Sequence, residues 1–188
     1  PIVYYLETAR PITNEANLYK LTDSETLLLK SGDQIPFNQR QVQHRNTVFK
    51  FELQPNVISS FYLHLSSDGE TINVPLNLYT EAQFWQVNYS QQLFLGLFYG
   101  ILFLAGIVYL FFYSSLSEKT FLYYSSYVLS IAFLQGALDG FIFQYIFPEA
   151  GFFNYKAVLI TALFSNFFLL KYCEYFLDFK NISKSIYK

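Results

Sequence analysis

Two kinds of patterning divide the chain. Up to about residue 80, apolar and polar positions alternate with period two, the spacing of a strand with one buried face. In TVFKFEL, Phe49, Phe51 and Leu53 share one face and Lys50 and Glu52 the other. In SFYLHLSS, Phe61, Leu63 and Leu65 oppose Tyr62, His64 and Ser66. In TINVPLNLYT, Ile72, Val74, Leu76 and Leu78 oppose Asn73, Pro75, Asn77 and Tyr79. Pro75 has no N–H to give a ladder, which puts its strand at an edge or on a bulge. IVYYLE and NLYKL are weaker strand candidates. Turn signals separate these runs: LTDSE, KSGDQIP, LQPN and SSDGE, the last with an Asp-Gly hairpin signal. About six short antiparallel strands predict a partial β-sandwich of jelly-roll type over 1–83.

Beyond residue 92 the alternation disappears. Leu93 to Tyr113 and Thr120 to Leu138 carry no charged residue, and Lys156 and Lys171 enclose a third apolar run. A helix rising about 1.5 Å per residue needs about 20 apolar residues to cross a bilayer. Membrane helices are therefore predicted at about 93–113, 120–140 and 154–176, the third borrowing length from its flanks with its lysines snorkelling to opposite head groups. The fold class expected is β plus membrane α, with 84–92 as a short tether between sandwich and first span. Gly96 and Gly100 have the GxxxG spacing that lets membrane helices approach closely.

Charge agrees with this division. Charged residues are 14% of the chain, against about 25% in soluble domains. Near the spans, lysines crowd the tail (Lys171, Lys180, Lys184, Lys188), whereas the loop between spans two and three has Lys156. The positive-inside rule then places the β-domain outside and residues after about 176 in the cytoplasm. Phe84, Trp85, Tyr89, Tyr113, Tyr145, Tyr172 and Tyr175 stand where interfacial aromatic belts belong. The balance is not basic enough for nucleic acid, and the single cysteine, Cys173, excludes an internal disulfide. Neither a signal peptide nor an initiator Met opens the chain, so an internal fragment incomplete at both ends is expected.

Candidate chemistry is sparse. No nucleophile elbow, zinc motif, P-loop or carboxylate pair at catalytic spacing is present, so neither catalysis nor a cofactor is expected of this stretch. His44, Arg45 and Asn46, before a strong strand, can hydrogen-bond a polar ligand, or can tie a loop to the sheet. Tyr62 and Tyr79, on the polar faces of their strands, can stack on sugar rings, or can be ordinary strand residues. Asp139 ends the second apolar run beside Gly140. A charge deep in a bilayer costs about 3 kcal/mol on insertion scales; at a helix end, head groups and water can solvate it. With Gln135 and Gln144 it can also form an outer vestibule that couples ligand occupancy to helix packing.

Two blocks carry a resemblance. LLLKSGDQIPFNQRQVQHRNTVFKFEL with FYLHLSSDGETINVPLNLYTEAQF, and LGLFYGILFLAGIVYLFFYSSLSEKTFLYYSSYVLSIAFLQGALDGFIFQYIFP, resemble bacterial seven-transmembrane receptors with diverse intracellular signalling modules, the 7TMR-DISM family. The likeness lies in Gly32, Asp33, Pro36, Phe37, His44, Arg45 and Asn46 of the first block, and in Gly96, Tyr99, Gly100, Tyr109, Gly140, Gln144 and Pro148 of the second. Leu110 departs from the pattern, where an Asn often follows the tyrosine. The resemblance implies the end of an extracellular jelly-roll sensor for a small molecule or carbohydrate, followed by the first three of seven spans. It further implies a bacterial inner membrane, the lipid bilayer as partner, and a cytoplasmic effector in the same chain such as a histidine kinase or nucleotide cyclase. A homodimer fits such receptors, although no residue pattern specifies one. The alternative is a transport or envelope-assembly protein with an accessory β-domain.

Overall fold

The computed structural model describes residues 1–8, 11, 13–21, 26–67, 75–149 and 151–178. Six strands among them form two antiparallel three-stranded sheets. The first has the order β4 (Thr47–Leu53), β1 (Ile2–Thr8), β6 (Leu76–Thr80); the second has β3 (Thr26–Ser31), β2 (Glu15–Leu21), β5 (Ser60–Ser66). Three long apolar helices follow: α1 (Glu81–Leu116), α2 (Lys119–Leu138) and α3 (Phe152–Phe176). The architecture is β plus membrane α. The expected turns at LTDSE and SSDGE, the positions Ile72, Asn73 and Val74, and the tail lysines from Lys180 lie in whole or in part outside the described residues.

Contacts group the chain into two compact units. One contains Pro1–Gln91 and Gly136–Lys156; the other contains Gln92–Gln135 and the residues from Ala157. The start of α1 and the connection after α2 thus belong to the same compact unit as the β-domain.

In the first unit the sandwich core is built from Ala16, Leu18, Phe49 and Phe51, with Tyr4, Leu6, Leu29, Leu53, Phe61, Leu63 and Leu65 packed around them. Strand alternation dictates this set: Phe49 and Phe51 face Phe61, whose ring lies 4.5 Å from that of Phe51. Tyr62 and His64 on the opposite face of β5 are exposed, as the pattern requires. β6 is an edge strand and begins directly after Pro75, where a residue without an N–H costs no ladder bond.

The alternation fails where a second core forms. Tyr5, Val48 and Phe84 make this cluster, with Val3, Val42 and Tyr79 against it. It covers the face of β1 and β4 opposite the sandwich core, so both strands are buried on both sides. Tyr79 is therefore packed rather than on an open polar face, while Leu78 and Leu76 of the same strand are exposed. Leu78 still faces the sandwich side, opposite Leu6, and Tyr79 the outer side, opposite Tyr5; what period-two reasoning does not see is that Phe84 from α1 covers that outer face.

In the second unit, α1 and α2 meet at small residues. Ser125 Oγ donates to the Gly106 carbonyl at 2.7 Å, and a Cβ on Gly106 would stand 2.7 Å from Leu129 Cδ2. Tyr109 packs against Tyr124 with ring centroids 4.3 Å apart, and Tyr123 stacks on Tyr175 of α3. Large apolar side chains such as Leu93, Phe94, Leu97, Leu104, Phe111, Leu163 and Leu170 are mostly exposed. In water that surface would be costly; in lipid it is the solvent-facing side.

Candidate functional site

Thr80 ends β6 and caps α1. Its N–H and hydroxyl both donate to Gln83 Oε1, at 3.2 and 3.0 Å, and the Thr-x-x-Gln spacing is that of a capping box. The expected tether, 84–92, is accordingly helical from its first residue. Phe84, Val87, Asn88 and Gln91 lie at i, i+3, i+4 and i+7, and these four are buried or half-buried while their helical neighbours are exposed.

Phe84 is the apolar anchor, 2% exposed. Tyr5 stacks flat on it with centroids 4.5 Å apart and planes 8° off parallel, and the His44 ring meets it edge-on at 5.5 Å. The Tyr5 hydroxyl donates to Glu81 Oε1 at 3.3 Å, and an acid in the first turn of a helix is favoured by its dipole. Phe84 therefore leaves the expected aromatic belt, while Trp85 and Tyr89 remain exposed.

Around this anchor runs a polar network. Asn46 N–H donates to His44 Nδ1 at 3.2 Å, so the imidazole proton sits on Nε2, which faces Asn88 Oδ1 at 3.0 Å. Burial holds the His44 pKa below its ordinary value, against the opposing pull of Asn88 and Glu7. Asn46 Nδ2 donates to Glu7 Oε1 at 2.6 Å, and burial followed by the Glu7 charge raises the Tyr79 pKa. Arg45 Nη2 donates to Gln91 Oε1 at 2.8 Å, and Nη1 makes a long contact, 3.5 Å, with the Asp139 carbonyl.

Arg40 fixes the loop that carries these groups. Its Nη2 donates to the Gly32 carbonyl at 2.7 Å and its Nη1 to the His44 carbonyl at 3.2 Å. The guanidinium lies 4.5 Å above the Phe143 ring, a cation–π contact strengthened by exclusion of water. Burial pulls its pKa down to about 10, with Asp33 opposing, so it stays charged at neutral pH. Gly32 has φ +121°, and a Cβ there would lie 2.5 Å from the Asn14 carbonyl oxygen, so only glycine fits the turn.

The connection after α2 completes the assembly. α2 ends at Leu138, and Asp139-Gly140 forms the turn, with Gly140 at φ +79°. A π-helical segment, Ile142–Ile146, follows. Phe37 N–H donates to the Pro148 carbonyl at 2.8 Å, and the Phe37 ring meets Phe143 edge-on at 5.8 Å. The β-domain thus holds both the start of α1 and the residues that link α2 to α3. What such an arrangement can do is fix, or release, the position of two helix ends.

Residues 1–80 match the family described as 7TMR-DISM extracellular 2, and residues 91–188 match the family described as 7TM diverse intracellular signalling. The chain belongs to the 7TMR-DISM family. No curated protein and no solved structure matches it. This 7TMR-DISM chain is a multi-pass membrane protein of receptor type. The polar network joins residues of both matched segments, Glu7, His44 and Asn46 from the first and Gln91 from the second, through the start of α1 that lies between them at 81–90.

Among the residues singled out from sequence, the 7TMR-DISM fold brings together His44, Asn46, Tyr79 and, through Arg45, the Asp139 carbonyl. His44 and Asn46 are buried and bonded within the chain. Tyr62 stands apart on β5, 60% exposed, opposite Tyr19 of β2. Gln144 is half-buried in the π-helical segment, and Gln135 lies in α2 within the second unit. No neighbour lies within 4 Å of where a Cβ would sit on Gly96 or Gly100, among the described residues; Gly106 is the glycine in contact. Sequence reasoning missed Glu7, Arg40, Phe84, Asn88 and Gln91. The helical spacing of the last three, behind Thr-x-x-Gln, was the signal available.

Proposed function

We propose that this 7TMR-DISM protein is a receptor whose β-domain controls its membrane helices through the first turns of α1. The observation that carries the reading is the seating of Phe84, Asn88 and Gln91 against Tyr5, His44 and Arg45. A helix clamped in this way has two defined arrangements available to it, seated and released, and a ligand that prefers one shifts the population. The buried HRN segment serves as the clamp. The open face of the second sheet, where Tyr62 pairs with Tyr19 and Leu28 also pairs with Tyr19, takes the ligand. Exposed Tyr62, with half-buried Tyr19 opposite it and Lys30 and His64 beside it, suits a carbohydrate or another small polar molecule with a flat apolar side. The β-domain faces outward, residues after about 176 face the cytoplasm of a bacterial inner membrane, and the output is a kinase or cyclase module of the same chain, in a receptor that can work as a homodimer.

The test uses the full-length receptor in membranes. Four flexible residues inserted after Gln91 leave the clamp intact but break its mechanical link to the rest of α1. Effector output should then stop responding to an oligosaccharide panel, while retention of those sugars by the receptor is unchanged. Unaltered responses with the insert would sink the reading.

A further inference from the structure

The connection between α2 and α3 exposes more apolar surface than a water-facing loop tolerates. Tyr145, Ile146, Phe147, Phe152 and Phe153 are 71, 50, 40, 68 and 60% exposed. Phe147 stacks on Phe153 with centroids 5.6 Å apart, and with Ile146 and Phe152 they wall an open cleft of about 240 Å³. Glu149 is the one charged residue lining that cleft among the described residues.

We infer that this connection is inserted into the head-group region of the bilayer, with phospholipid as its partner. The covalent chain bounds the location: α2 and α3 both have the length and composition to cross a membrane, and the thirteen residues between Leu138 and Phe152 join them, so the connection begins and ends at the membrane surface. Its side chains fit that layer, where aromatic rings with one apolar and one wet side are favoured. Lys156, exposed and one turn beyond Phe152 and Phe153, brings a cation to the level of lipid phosphates and can snorkel there. The inserted residues are not a free flap. The Phe37 N–H to Pro148 carbonyl bond and the Arg40–Phe143 stack tie them to the β-domain, so the sensor domain itself rests on lipid through this segment. This inference requires membrane spans but not the ligand or output proposed above.

Spin labels on single cysteines read it directly. Tyr145→Cys, Phe152→Cys and Phe153→Cys, with His64→Cys as a reference on exposed β5, are made in the full-length receptor with its native cysteines replaced, labelled with a nitroxide and placed in phosphatidylethanolamine–phosphatidylglycerol vesicles. Labels at 145, 152 and 153 should relax faster with oxygen, which concentrates in lipid, than with a water-soluble nickel chelate; the label at 64 should show the reverse. Nickel accessibility equal to that at 64 would overturn the inference in favour of a solvated loop. Shielding from both reagents would overturn it in favour of a protein cover. Because the three positions are exposed, unchanged thermal unfolding of each labelled variant verifies that it has folded.

Discussion

His44 Nε2 lies 3.0 Å from Asn88 Oδ1, joining a loop ahead of β4 to the third turn of α1 across a separation of 44 residues. Both side chains are buried. A buried polar atom that loses its partner costs about 1–3 kcal/mol. His44→Ala and Asn88→Ala should each destabilise the receptor by about that much. The double variant should fall short of their sum by about 0.5–3 kcal/mol, the mark of a direct interaction. Chemical denaturation of the detergent-solubilised receptor measures all three.

The same histidine predicts a pH dependence. Its folded pKa lies below the unfolded value, so the unfolded chain takes up a proton first, near pH 6.5. The His44 contribution to stability is therefore constant above that region. It declines as pH falls from there to the lower folded pKa, and is level again below it. Glu7 from β1, Arg45 from the same loop, Tyr79 from β6 and Asn88 from α1 surround the ring; Nδ1 already accepts from the Asn46 N–H, and the Glu7 carboxylate is bonded to Asn46. His44→Gln should flatten this part of a stability-against-pH profile measured by thermal unfolding.

The glycines separate by position. Gly140 has φ +79°, and a Cβ there would lie 2.8 Å from Pro11 Cβ and 3.1 Å from the Arg45 carbonyl oxygen. Gly140→Ala should cost about 1–3 kcal/mol from backbone strain alone. Gly106→Ala would press on Leu129, whereas Gly96→Ala and Gly100→Ala meet nothing within 4 Å among the described residues. Denaturation midpoints should therefore drop for the variants at 140 and 106. Those at 96 and 100 should stay near wild type.

Arg40→Lys keeps the charge but cannot reproduce two diverging N–H donors to the Gly32 and His44 carbonyls, nor a planar stack on Phe143. A loss of about 1–3 kcal/mol is expected. Nearly wild-type denaturation of the Arg40→Lys receptor would mean that positive charge alone holds the loop.

Much of the fold is readable in the chain because each signal is local. Phe49, Phe51, Phe61, Leu63 and Leu65 announce a sandwich face by spacing two apart, and the runs from Leu93 and Thr120 announce membrane helices by length. The junction is not local. Val48 and Tyr79 look like outward residues until Phe84 arrives from another element, and Phe84 looks like an interfacial aromatic until Tyr5 stacks on it. Arg40 and Asn88 carry no pattern of their own; their partners lie in the loops and helix that folding brings to them. His44, Arg45 and Asn46 were visible as a polar cluster, but whether such a cluster faces a ligand or its own chain depends on burial, which a single sequence does not record. Asp139-Gly140 could be placed at a helix end because glycine after a helix has a specific backbone role.

Amide hydrogen exchange across 81–91 in the full-length receptor tests the central claim most directly. If the first turns of α1 are part of the sensor domain, their amides are protected like those of β4. Replacing both His44 and Arg45 by alanine should then speed exchange in 81–91 while leaving 93–116 protected. Fast exchange of 81–91 in the wild-type receptor, or protection indifferent to the loss of both side chains, would contradict the account.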